Sequence, residues 1–220
     1  MPLHIDNIVI EAVEAATLSV VIETEDRVPV TRILHGRQTS AKQYGPAYSR
    51  AYWNLEIIVA QDETELPHQV LDECNPRFEL LIDGALFPTR TDQLSGTRLV
   101  AAEDTDAMYG THGPSLDDTV VEIVHWLRAD AAFVRWTAEY DDWNHGSKQR
   151  IPFHFEGEVA FAGIEMQVKE EKDATPILSH VLPHLDQSAF AMTLGREIKL
   201  GPLVQDDRRR WREVFWRPKA

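Results

Sequence analysis

Residues 52–60 read YWNLEIIVA, aromatic and β-branched positions with polar ones set between them, the clearest strand pattern in the chain. Residues 17–25 (TLSVVIETE) form a second tight β-branched run. Residues 28–35 follow it after the polar break Glu25, Asp26 and Arg27, which predicts a hairpin. Residues 78–87 (FELLIDGALF) contain Asp83-Gly84, a pair that favours positive φ and predicts a tight two-residue turn. The polar stretch 36–49, with Gly45-Pro46, reads as a loop. The first ninety residues hold no strong helical pattern, and residues 66–74 come nearest to one.

Residues 104–115 (DTDAMYGTHGPS) are rich in Gly, Pro and Asp and mark the best boundary in the chain. Beyond them Leu116, Val120, Ile123, Val124 and Leu127 recur at helical spacing, and Ser115 with Asp118 resembles a capping box with Asp in place of Glu. Residues 116–129 therefore predict an amphipathic helix. In 133–140 (FVRWTAEY), Val134, Trp136, Ala138 and Tyr140 alternate with other positions as in a strand. Phe153, Phe155, Val159 and Phe161 keep one face, and at Gly163 the phase flips to Ile164, Met166 and Val168. Such a slip predicts either a bulge or a turn between two strands. Residues 176–185 (PILSHVLPHL) return to helical spacing, with Pro183 placed to end or kink the helix, and 190–200 look extended.

The expected fold class is α+β and mostly antiparallel. A strand-rich region spans 1–103, a connecting loop 104–115, and a region with two helices on an antiparallel sheet 116–220. The two regions also read as one continuous domain. With 97–103 as a further strand, the second half approximates a split β-α-β arrangement of the ferredoxin-like kind.

Composition narrows the class. Hydrophobic residues at 43% and charged residues at 26% of 220 are ordinary globular values, which argues against wholesale disorder. The lone cysteine, Cys74, excludes an intrachain disulfide and fits a reducing compartment. Residues 1–10 lack the basic and continuous apolar stretches of a signal peptide, and no apolar run approaches ~18 residues, so a cytoplasmic protein off the membrane is expected.

Charge is distributed unevenly. Residues 208–220 (RRRWREVFWRPKA) carry six of the twenty-two Lys/Arg and one of the thirty-six Asp/Glu. This tail has a formal charge of +5 on a body of −19. The acidic body repels phosphate backbones over a Debye length of about 8 Å, so nucleic acid is a disfavoured partner and a basic protein a favoured one. The tail, with Trp211, Phe215 and Trp216 among its cations, either folds back on the body or is presented to a partner.

Candidate chemistry is sparse. His180 and His184 have metal-ligand spacing, but Pro183 stands between them and no third ligand is evident. Asp141, Asp142 and His145 (in YDDWNHG) have the composition of a metal or acid–base loop, and equally of an ordinary turn. Cys74 lies among acids that weaken a thiolate nucleophile. Nucleophile-elbow, phosphate-loop, dinucleotide and CxxC motifs are all absent. No catalytic residue, metal or cofactor is assigned. The residues singled out for binding are Trp136, Tyr140, Asp141, Asp142 and Trp143, an aromatic-acidic neighbourhood, with Trp211 and Trp216 of the tail.

These features lead to a non-enzymatic, acidic interaction protein: a cytoplasmic inhibitor of the immunity type that masks a basic partner. Two alternatives stand beside it, a structural or assembly subunit of a larger bacterial or phage complex, and a metal-assisted hydrolase without a recognisable motif.

Overall fold

The computed structural model describes residues 3–5, 8–10, 13–34, 37–44, 49–59, 76–100, 107–109, 116–141, 150–199 and 210–219. Fourteen strands occur among them. The first seven are β1 (Leu3–Ile5), β2 (Ile8–Ile10), β3 (Val13–Glu23), β4 (Glu25–Leu34), β5 (Arg37–Tyr44), β6 (Arg50–Val59) and β7 (Pro76–Ile82). The others are β8 (Thr97–Val100), β9 (Ala107–Tyr109), β10 (Leu116–Arg128), β11 (Ala131–Asp141), β12 (Arg150–Val168), β13 (Phe190–Lys199) and β14 (Arg210–Pro218). One α-helix, α1 (Ala174–Val181), lies between β12 and β13.

Twelve strands form one sheet whose main path runs β8-β10-β11-β12-β3-β6-β7-β9, while β4 and β5 pair separately. β9 returns to lie near β10, so the path becomes a nearly closed barrel. The β12–β3 pairing is parallel, and all the other described pairings are antiparallel.

β12 is the organising strand. Ala160 pairs with Ala131 on one side and Thr17 on the other, whereas Ile164 pairs with Trp216 and Val20. β3 keeps one edge across this interval, so the opposite edge passes from β11 to β14. The exchange happens at Gly163, a bulge with φ +95°. The phase flip read in the sequence is therefore a bulge within one continuous strand.

Alternation fills the interior. β6 buries Ala51, Trp53, Leu55 and Ile57, leaving Tyr52, Asn54 and Glu56 half-buried on the other face. β12 buries Phe153, Phe155, Val159 and Phe161, then Ile164, Met166 and Val168 after the bulge. Trp136 packs edge-on against Phe153 at 4.9 Å and tilted against Phe78 at 6.1 Å between ring centroids. Each such side chain contributes about 1.5–3 kcal/mol by leaving water. α1 adds Ala174, Ile177 and Leu178 to the same core, followed by Leu182 and Leu185.

The expected α+β class with two helices on a ferredoxin-like sheet is overturned: the described chain is strand-dominated, with one α-helix. Residues 116–128, read as a helix, are β10. The cause is irregular register. Asp118, the residue of the apparent capping box, adopts φ 49°, and register shifts follow Asp117, Ile123 and Trp126. These slips convert a two-residue period into apparent spacings of three and four. Within 176–185 the helix stops at Val181, because Leu182, the residue before Pro183, takes φ −123° and ψ 71°.

Residues 37–44, read as a loop, form β5 against β4 despite their polarity, since ladder hydrogen bonding needs no apolar face. Asp83-Gly84 makes no two-residue hairpin. Leu86 N–H donates to the Asp83 carbonyl and Phe87 N–H to the Gly84 carbonyl in successive turns. Gly84 is needed for close approach: a Cβ there would overlap the Val181 carbonyl. Within the 104–115 break, 107–109 form β9, and the rest lies outside the described residues, as does 66–74.

Candidate functional site

The basic tail folds into the sheet. β14 pairs with β12 through residues 212–216 and with β13 through 210–218. Trp211, Val214 and Trp216 are buried, while Arg217 is exposed and donates through Nη1 to the Ala162 carbonyl at 2.5 Å. Alternate positions on β14 point to opposite faces, and each face mixes charge with aromatics: Trp211, Glu213, Phe215 and Arg217 share the groove face, while Arg212, Val214 and Trp216 share the other.

Beside β14, where β3 and β12 end, lies an open groove of about 480 Å³. Its walls include Glu23 at the end of β3 and Thr24 after it, Glu165 and Gln167 of β12, Asn54 and Arg77 from β6 and β7, and Trp211, Glu213 and Phe215 of β14. A polar chain supports the floor. Ser19 Oγ donates to Glu165 Oε1 at 3.1 Å, Asn54 Nδ2 donates to Ser19 Oγ at 3.5 Å, and Arg77 Nε donates to Asn54 Oδ1 at 3.0 Å. Ser19, Asn54 and Glu79 stand in one cross-strand row over β3, β6 and β7. Thr24 Oγ1 donates to the Gln167 carbonyl and ties the ends of β3 and β12 together.

Three carboxylates and one guanidinium therefore line the groove. Arg77 is also held by Glu79, and Arg196 Nε reaches Glu213 Oε1 at 3.1 Å. Burial, then the Glu23 charge, pushes the neighbouring Tyr52 hydroxyl above its ordinary pKa, so this outer face favours the uncharged phenol. Both groove aromatics already accept cations of the chain itself. Lys169 Nζ lies 5.3 Å from the Trp211 centroid, and Arg217 Cζ lies 4.9 Å from that of Phe215.

The residues singled out from the sequence do not converge on one place. Trp136 is fully buried inside the barrel, with its Nε1 lacking a hydrogen-bond partner. Tyr140 and Asp141 end β11, paired with Ile151 and Arg150. Asp142, Trp143 and His145 lie outside the described residues. Trp211 and Trp216 sit on β14, and of these Trp211 lines the groove. His180 and His184 are exposed on α1 and in the turn after it. Among the described residues no cluster of three or more His, Cys, Asp or Glu has metal-site geometry, and no helix is long and apolar enough to cross a membrane.

Sequence reasoning passed over Glu23, Glu165 and Asn54. They belong to three strands far apart in the chain, and each looks like an ordinary outward-facing residue. Phe215 stands among the aromatics already noted in the tail, and Glu213 is the one acid of that segment. No protein-family model matches this chain, and no curated protein or solved structure does either.

Proposed function

We propose that the protein is an acidic interaction module whose groove between β3, β12 and β14 receives a cationic side chain of a basic protein partner. The groove carries this reading: Glu23, Glu165 and Glu213 supply negative charge, and Trp211 and Phe215, each already against a cation of the chain, show that its walls suit one. Carboxylate beside aromatic is the chemistry that holds a guanidinium or ammonium group. The formal charge of −14 supports the same partner class by steering cations from a distance. The finer form of the reading is an inhibitor of the immunity type, acting in the cytoplasm, which covers a basic surface on its target.

The test uses a fluorescent arginine-rich peptide and the full chain. Binding should weaken steeply with added salt and fall by about tenfold or more in a Glu23→Gln/Glu165→Gln/Glu213→Gln variant. Equal binding by that variant removes the groove from the proposal. The inhibitor form further requires a stoichiometric basic protein, released by salt, when the tagged chain is recovered from its host. A second reading, an assembly subunit, is favoured by one observation, the outer edge of β13, along which no other described strand lies.

A further inference from the structure

We propose that the outer edge of β13 over residues 190–195 is a strand-addition site. Its occupant is an extended segment of a partner protein, apolar at alternate positions and flanked by carboxylates. This surface is separate from the groove, and its argument is independent of the groove's.

β13 pairs with β14 on one side, and among the described strands no other lies along it. Its outward N–H and C=O groups are directional donors and acceptors at strand spacing, and another strand is the group that satisfies a row of them. Natural edges are usually guarded by charge, proline, shortness or a bulge. Residues 190–195 read FAMTLG, with no charge and no proline, and the register stays regular from Phe190 to Leu194. The first irregularity falls between Leu194 and Glu197, and the first charges are Arg196 and Glu197.

The side chains agree with the backbone. Met192 and Leu194 are 41% and 42% exposed. Their register partners on β14 are Trp216 and Val214, which are buried. Cross-strand partners share a face, so an apolar stripe runs from the core across β14 and out onto β13, where it is left uncovered. A strand added beyond β13 continues that face and covers the stripe with its own alternate residues.

Charge selects the occupant. β13 and β14 together hold five Arg or Lys and two Glu, on a chain whose formal charge is −14. The edge thus belongs to a net-basic part of an acidic protein, and the Arg196 side chain beside it is 80% exposed. A segment with carboxylates at its ends is complementary there. A second copy is not, because edge-to-edge pairing sets basic arm against basic arm.

The probes are three short fluorescent peptides of alternating Val and Thr: one with Glu at both ends, one with Lys, and one Glu-ended but N-methylated along one backbone edge. The Glu-ended peptide should bind about tenfold tighter than the Lys-ended one, slow amide exchange in β13, and lose binding when N-methylated. A Met192→Lys/Leu194→Lys variant, which copies the natural charge guard, should lose binding while its arginine-rich-peptide affinity at the groove stays unchanged. If that variant does not fold, the N-methylated comparison on the wild-type chain decides. Equal binding of all three peptides, or of none, overturns the proposal. A concentration-dependent dimer that protects β13 amides also overturns it, assigning the edge to a second copy.

Discussion

Gly163 and Trp216 meet backbone to backbone: a Cβ on residue 163 would overlap the Trp216 carbonyl oxygen and come within 3.3 Å of the Arg217 Cα. This contact lies where β12 gives up β11 and takes β14 as its neighbour. Two constraints, φ +95° and the absence of room, fall on the same residue.

Gly163→Ala should therefore destabilise the fold by at least ~2 kcal/mol, from left-handed strain together with displacement of β14. Gly96→Ala provides the comparison. It also has positive φ, at +80°, but nothing lies within 4 Å of the added carbon, so its cost should stay near ~1 kcal/mol. Urea unfolding of the two variants measures the difference. Equal midpoints would mean that β14 does not press on the bulge.

β10 offers a clean separation of strand from helix. Leu127 stands at a core position of the helical reading, yet it is 41% exposed, while Ile123 is fully buried. Ile123→Ala should cost about 2–5 kcal/mol and Leu127→Thr no more than about 0.5 kcal/mol. Thermal or denaturant unfolding reports both, and comparable losses would favour the helix.

Removal of the tail tests how far β14 is part of the core. A chain ending at residue 207 loses Trp211, Val214 and Trp216, all buried, and leaves the end of β12 without a neighbour on that edge. At roughly 1.5–3 kcal/mol for each buried side chain, against a typical total stability of about 5–15 kcal/mol, cooperative unfolding should weaken severely or vanish. Trp216→Ala alone should cost about 3–5 kcal/mol. A truncated chain that keeps its melting temperature would show that β14 is an accessory strand.

Acid should reveal the outer-face pairs. Arg135 joins Glu122 at 3.0 Å and Glu156 at 3.2 Å across β10, β11 and β12. Its hydrogen bond, with help from its charge and from His154, holds the Glu156 carboxyl below the usual carboxylate range. The Ser188 hydroxyl and backbone N–H do the same for Asp186. A depressed carboxyl stabilises the fold above its unfolded-state pKa and loses that contribution as pH falls through its folded-state value. Glu156→Gln should thus lower the melting temperature at neutral pH, and the gap from wild type should close as the solution is taken below the ordinary carboxylate range. A gap independent of pH would assign the effect to packing.

The long alternating strands were legible because their period is undisturbed. β6 follows YWNLEIIV almost residue by residue, and β12 showed both its face and its slip at Gly163. β10 was not legible, because a positive-φ aspartate and three register shifts leave Leu116, Thr119, Val121 and Ile123 as the buried set while Val120, Val124 and Leu127 imitate a helical stripe. The groove was less legible still. Glu23, Glu165 and Glu213 become neighbours only through the β12–β3 and β12–β14 pairings, and no local pattern encodes those. The tail was half legible: its apolar content marks a strand that packs on the body, but the partner strands, and the mixture of charge and aromatics on both faces of β14, were hidden.

The parallel seam between β3 and β12 has a consequence in time. β3 cannot acquire this neighbour until residues 160–166 have been synthesised, an interval on the order of ten seconds after its own at ordinary translation rates. Until then Leu18, Val20 and Ile22 belong to a strand with one edge open, and closure across so long a loop is slow. The newborn chain therefore passes through a period in which the apolar face of β3 waits, and factors that shelter nascent chains should govern its yield more than its final stability does.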